Sequence, residues 1–107
     1  MATKENEQLV LLDLNVPTFQ KNLFELNKDE RHRVLNTLEK ISKLTWQQVY
    51  ADQGLHWEEI RSRTPPAGIA QWYSIRVTLA RRAAAYRHGQ FMRFLALPTD
   101  HDATYSK

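Results

Sequence analysis

The apolar residues of this chain change period at Gly54, from spacings of three and four before it to alternation after it. A period near 3.6 draws an apolar stripe down one side of a helix, whereas a period of 2 puts apolar residues on one face of a strand. A chain carrying the two in succession lays a helical N-terminal half on a C-terminal sheet, an α+β arrangement. At 107 residues it has length for one core, so the expectation is a flexible tail over 1–8 and a single domain over 9–105.

Leu9 to Asn15 is aliphatic and ends at Val16-Pro17, which predicts a first strand handing the chain to a helix with proline in its first turn. Phe19, Leu23 and Leu26 then mark one face of that helix. Asn27 followed by Glu30 is a capping pair for a second helix running to about Leu44, with Val34, Leu35, Leu38, Ile41 and Leu44 on its apolar face. Thr45 and Gln48 repeat the pattern and predict a short third turn ending near Gly54, a residue able to take the left-handed conformation.

Beyond Gly54, Trp57 to Arg63 alternates so that Glu59, Arg61 and Arg63 share a face opposite Ile60. Thr64 to Gly68 breaks the pattern. Trp72 to Thr78 places Tyr73, Ile75 and Val77 on one side and Trp72, Ser74 and Arg76 on the other. Ala83 to Tyr86, a hairpin turn at Arg87-His88-Gly89 and Phe91 to Leu97 complete the sheet. The expected order is β-α-α-β-β-β.

Charge is divided as sharply as period. Residues 1–54 hold seven Lys/Arg against eight Asp/Glu, and residues 55–107 hold eight against four. Seven of those eight cations are arginine, whose planar fork grips phosphate bidentately and stacks on bases. The C-terminal half therefore suits a polyanion, RNA above all. The chain has no cysteine, which excludes a disulfide framework and thiolate metal sites. It has no apolar run of membrane-spanning length and no signal-peptide profile, so no membrane partner and a cytoplasmic location are expected.

In their order and spacing, the strand ending at Pro17, the helical segment ERHRVLNTLEKIS, the strand WYSIRVT, the segment RRAAAY and the tail DHDATY resemble the RelE/ParE superfamily of toxins from bacterial toxin–antitoxin pairs. The resemblance implies a helical pair packed on a curved, mostly antiparallel sheet. It also implies an antitoxin as protein partner and, for the RelE branch, cleavage of mRNA on the ribosome with ribosomal RNA as a further contact. ParE-like members with the same fold inhibit gyrase without being enzymes, and a decayed member would only bind nucleic acid or protein, so the site residues must decide.

Cleavage through the 2′-hydroxyl needs a base, cations on the phosphate and an acid for the leaving oxygen. Arg61, Arg76 and Arg82 come from separate expected strands and are the candidate phosphate clamp, Arg76 and Arg82 also by resemblance. Their bland reading is solvation or pairing with Glu58 and Glu59. Glu59 is the candidate base or else the partner that orients Arg61. His101 matches the C-terminal histidine of the RNA-cleaving branch and titrates near neutrality. Tyr105, four residues later, would stack on a base or pack on the sheet. Arg63, Arg81, Arg87, Lys40 and Lys43 are candidate RNA contacts, or simply solvated charge. Asp100, His101 and Asp102 lack the spacing and further ligands of a metal shell, so neither metal nor cofactor is expected. His32 and His56 read as structural and His88 as a turn residue.

Overall fold

The structure is a computed structural model that describes residues 8–98. Its elements are β1 (Leu11–Asp13), α1 (Pro17–Glu25), α2 (Lys28–Ser42), α3 (Trp46–Ala51), β2 (Glu58–Glu59), β3 (Tyr73–Thr78), β4 (Arg81–His88) and β5 (Phe91–Ala96). The strands form one sheet in the order β1-β5-β4-β3-β2, antiparallel except where β1 runs parallel to β5. This is the expected α+β class, a helical pair on a mixed sheet. The short third turn expected at Thr45 is the helix α3, and the strand expected over 57–63 is reduced to the two-residue β2, so the described order is β-α-α-α-β-β-β-β.

The helices begin where capping chemistry allows. Pro17 opens α1, and the Asn27 side chain accepts the Glu30 backbone N–H at 2.8 Å to open α2. Thr45 and Gln48 exchange side-chain and backbone hydrogen bonds in a full capping box on α3. At the far end of α1, Arg31 donates to the Leu26 carbonyl at 2.9 Å, satisfying a group the helix leaves free.

Phe19, Val34, Leu38, Ile41 and Trp46 are buried against Ile75, Val77, Ala83, Ala85, Met92 and Phe94 of the sheet. Phe19 meets Phe94 with ring centroids 5.2 Å apart. Alternation on β3 and β4 gives the sheet an opposite face that carries no helix among the described residues. There Ile60 and Trp72 bury Ala84 in a second, smaller cluster flanked by Ile69 and Leu95.

Strand β1 is shorter than the expected Leu9 to Asn15 and β4 longer than Ala83 to Tyr86, and three further boundaries differ for identifiable reasons. The strand expected over 57–63 pairs only through Glu58 and Glu59, because Ile60 turns inward onto Trp72 and Ala84 and the chain then runs through Pro65-Pro66 and Gly68, which has φ +85°. The hairpin turn lies one residue later than Arg87-His88-Gly89: His88 pairs with Phe91, and Gly89, at φ +60°, is the first of two loop residues. Third, α3 stops at Ala51 without a left-handed glycine. The Asp52 side chain accepts the Leu55 N–H at 2.9 Å instead, and the residue with positive φ is His56, at +50°.

Polar bonds also join the layers, and the densest cluster is centred on Glu30. The Glu30 carboxylate on α2 accepts from Arg81 Nε and from the Thr78 hydroxyl, both at 3.0 Å, and Arg81 Nη1 reaches the Pro98 carbonyl at 2.8 Å. The bond from Arg81 leads in holding the Glu30 carboxyl below its ordinary range, burial opposes it, and Thr78 and the charges of Arg81 and Arg33 add to the lowering. A depressed folded pKa stabilises above the unfolded value of about 4.3, and that contribution is lost as pH falls through the folded value. Urea unfolding midpoints should therefore drop below about pH 4, and Glu30→Gln should lower the neutral midpoint while flattening that acid limb. A Glu30→Gln profile parallel to wild type would assign the acid sensitivity elsewhere.

Candidate active site

Pairing in a sheet determines which side chains can meet, because directly opposed residues share a face and their chain neighbours take the other. Arg76 on β3 is opposed to Arg82 on β4, and Ser74 to Ala84, so both arginines stand on the face without helices. On the next strand Glu58 is opposed to Ser74 and therefore shares that face. Glu59 is opposed to Tyr73, which lies on the helix side with Ile75. The structure thus brings Arg76 and Arg82 together as expected but does not bring Glu59 to them. Its carboxylate meets Arg61 Nε at 3.3 Å and Gln71 Nε2 at 3.4 Å, so Arg61 is drawn away with it. The sequence alternation treats Glu58 and Glu59 alike as opposite neighbours, and only the register on β3 decides which of them faces the arginines.

Arg82 is anchored by hydrogen bonds to Ser74 and His56. Its Nε donates to the Ser74 hydroxyl and its Nη2 to the His56 carbonyl at 2.5 Å. Burial, and then the charge of Arg76, pull its pKa below the ordinary arginine value, while Glu58 opposes them. Arginine stays charged under that displacement, so its meaning is energetic: two guanidinium groups face each other across strands at a cost that an anion between them would relieve.

His56 completes the cluster, although the sequence reading treats it as structural. Its backbone lies beside β3, where the Arg76 N–H donates to the Leu55 carbonyl at 2.7 Å. The left-handed φ of His56 turns its carbonyl to Arg82, and its Nε2 lies 3.4 Å from Glu58 Oε1. Both side chains are more than half exposed, at 54% and 63%, so water or a substrate reaches them. A strained non-glycine backbone holding a histidine, a carboxylate and a half-buried arginine at one sheet edge is the kind of cost that functional sites carry.

The remaining candidates lie elsewhere. Arg81 is committed to Glu30 and Pro98. Arg87 sits over the Trp46 ring at 4.7 Å and donates to Tyr50 and Gly89. Lys40 of α2 pairs with Asp52 at 3.1 Å, and Lys43, which caps the end of that helix, pairs with Glu39 at 3.5 Å, both on the other side of the sheet. The Arg63 carbonyl lies 3.4 Å from the Trp72 indole nitrogen, in the loop after β2. His101 and Tyr105, with Asp100 and Asp102, lie outside the described residues.

No protein-family model and no curated protein matches the chain. Among solved structures it is similar to the YoeB dimer from Staphylococcus aureus, with a TM-score of 0.46 and 9% sequence identity over 84% of this chain and 95% of that one. Among the described residues no helix is long and apolar enough to cross a membrane.

Opposed like charges give a direct test. Arg76→Ala should raise the thermal midpoint by about 3 °C in low salt. Sulfate should stabilise wild type more than this variant, and the gap should close as salt screens the pair. A lower midpoint for Arg76→Ala would mean that Arg76 supports the fold instead of straining it.

Proposed function

We propose that this chain is the toxin of a toxin–antitoxin pair and that it cleaves mRNA on the ribosome as a metal-independent endoribonuclease. The observation that carries the reading is the opposed pair Arg76 and Arg82 with Glu58 and His56 at the adjoining strand edge. The sequence resemblance to the RelE branch supports the same reading.

Chemically, the arginines receive the scissile phosphate and hold the negative charge that grows on its oxygens during attack. The 2′-hydroxyl oxygen forms a bond to phosphorus as its proton passes to Glu58 or to neutral His56. The bond to the 5′ oxygen breaks, and that oxygen takes a proton from an acid, leaving a 2′,3′-cyclic phosphate and a 5′-hydroxyl. In the resemblance that acid is His101, with Tyr105 stacked on a base. His56 is a second group able to give it, since an imidazole ring can both accept and donate a proton. Glu59, turned toward Arg61 and Gln71, acts in this scheme by positioning and not as the base. The exposed basic side chains Lys40, Lys43 and Arg63 would lie against ribosomal RNA, and the antitoxin would neutralise the chain by covering the arginine face with carboxylates.

Induced expression followed by primer extension on a reporter mRNA tests the proposal. Wild type should arrest growth and leave cuts within codons. Arg82→Ala should reduce cutting by about a hundredfold or more, Glu58→Gln by a similar factor, and Glu59→Gln by much less. Growth arrest with intact mRNA and damaged DNA would replace this reading with non-enzymatic gyrase inhibition. No arrest would leave a protein that only binds.

A further inference from the structure

The arginine pair leaves unused a cleft of about 880 Å³ at the end of the sheet where β3 begins and β4 ends. One wall is an aromatic stack already assembled: Trp57 and Tyr73 lie with ring centroids 4.7 Å apart and planes 12° from parallel. Tyr50, half exposed, extends that wall from α3. The charged lining side chain is Arg87, fixed over Trp46 and bonded to the Tyr50 hydroxyl at 2.9 Å, so a cation is in place without further ordering. From the facing loop Gln71 presents an amide. Its contacts to Glu59 and Tyr73 are both long, at 3.4 Å, and open to exchange for better partners.

We propose that this cleft takes a nucleobase of the single-stranded RNA held by Arg76 and Arg82, an inference that rests on the RNA reading above. Stacked rings offer a base its π-face, while the amide, the tyrosine hydroxyls and a guanidinium offer hydrogen bonds to its edge, the combination by which single strands are recognised. An apolar anchor from a protein partner would gain nothing from that polar edge and would strip water from Arg87. Position agrees as well. Tyr86, which lines the cleft, stands on the arginine face four residues along β4 from Arg82, about 13 Å at the usual rise of a strand, while Tyr73 and Arg87 lie on the helix side, so the cleft wraps the end of the sheet and opens toward both faces. A phosphate on the arginine pair and a base in the cleft therefore belong to one RNA strand that bends round the end of β3 and β4.

Fluorescence anisotropy of an eight-nucleotide 2′-O-methyl RNA, which cannot be cleaved through its 2′ oxygen, tests this with the full chain. The same oligomer is made with one abasic position moved along it. Binding should weaken about fivefold to a hundredfold when the abasic position falls at one or two sites and little elsewhere. Ala70→Trp, which fills the cleft from an exposed loop residue, and Tyr50→Ala should each weaken the intact oligomer by a comparable factor and erase the difference between positions. Near-UV circular dichroism establishes that both variants fold. If every abasic oligomer binds equally, or if Ala70→Trp binds as wild type while Arg82→Ala does not, the cleft proposal is overturned and the RNA reading stands. If wild type binds no oligomer at all, both fall.

Discussion

Everything at the arginine face depends on how two residues of β2 pair with β3. Glu58 opposes Ser74, and Glu59 opposes Tyr73. With side chains alternating across a strand, a slip of one residue would exchange the two carboxylates between faces. It would take Glu58 from the arginine pair and set Glu59 in its place. The pairing is short, and its neighbours fix it: Ile60 donates to the Trp72 carbonyl and packs on Ala84, while on the other side Arg76 donates to the Leu55 carbonyl. A two-residue strand thereby gains a defined register from an apolar cluster and a backbone bond outside it.

Six of the seven arginines of the C-terminal half divide into different kinds of work. Arg81 ties the sheet to α2, and Arg93 holds the buried Asp13 of β1 at 2.7 Å while reaching the Tyr86 hydroxyl. These two form part of the frame. Arg87 lies on the helix side over Trp46, and Arg61 is engaged with Glu59. Only the Arg76 and Arg82 pair combines opposition of like charge with burial of one member. Composition identifies a basic half, but the phosphate-binding capacity is concentrated in one small part of it.

Much of the fold is legible in the sequence because its signals are local. The change of period at Gly54, the caps at Asn27 and Thr45 and the alternation of Trp72 to Thr78 all survive in the structure. What sequence cannot supply is the outcome of competition between distant groups. The strand expected to Arg63 ends at Glu59 because Ile60 gains more by packing on Trp72 and Ala84 than by extending an edge. Arg76 and Arg82 are legible as candidates because each falls on an alternating segment. His56 is not, since nothing in Leu55-His56-Trp57 announces a left-handed residue, and a lone histidine has no periodicity to betray it. The choice between Glu58 and Glu59 turns on a register that alternation alone leaves open.

The parallel pairing of β1 with β5 has a consequence for how the protein is made. Asp13 and Arg93 are 80 residues apart in sequence, yet they are opposed on neighbouring strands and bonded to each other. Such remote pairing slows folding, because chain entropy must be surrendered before the contact rewards it. During synthesis, β1 emerges before the other strands of the sheet and has no partner until β5 has left the ribosome. The helices can form early, but the sheet is completed only after its last strand arrives, so the finished arginine face comes late in the life of the nascent chain.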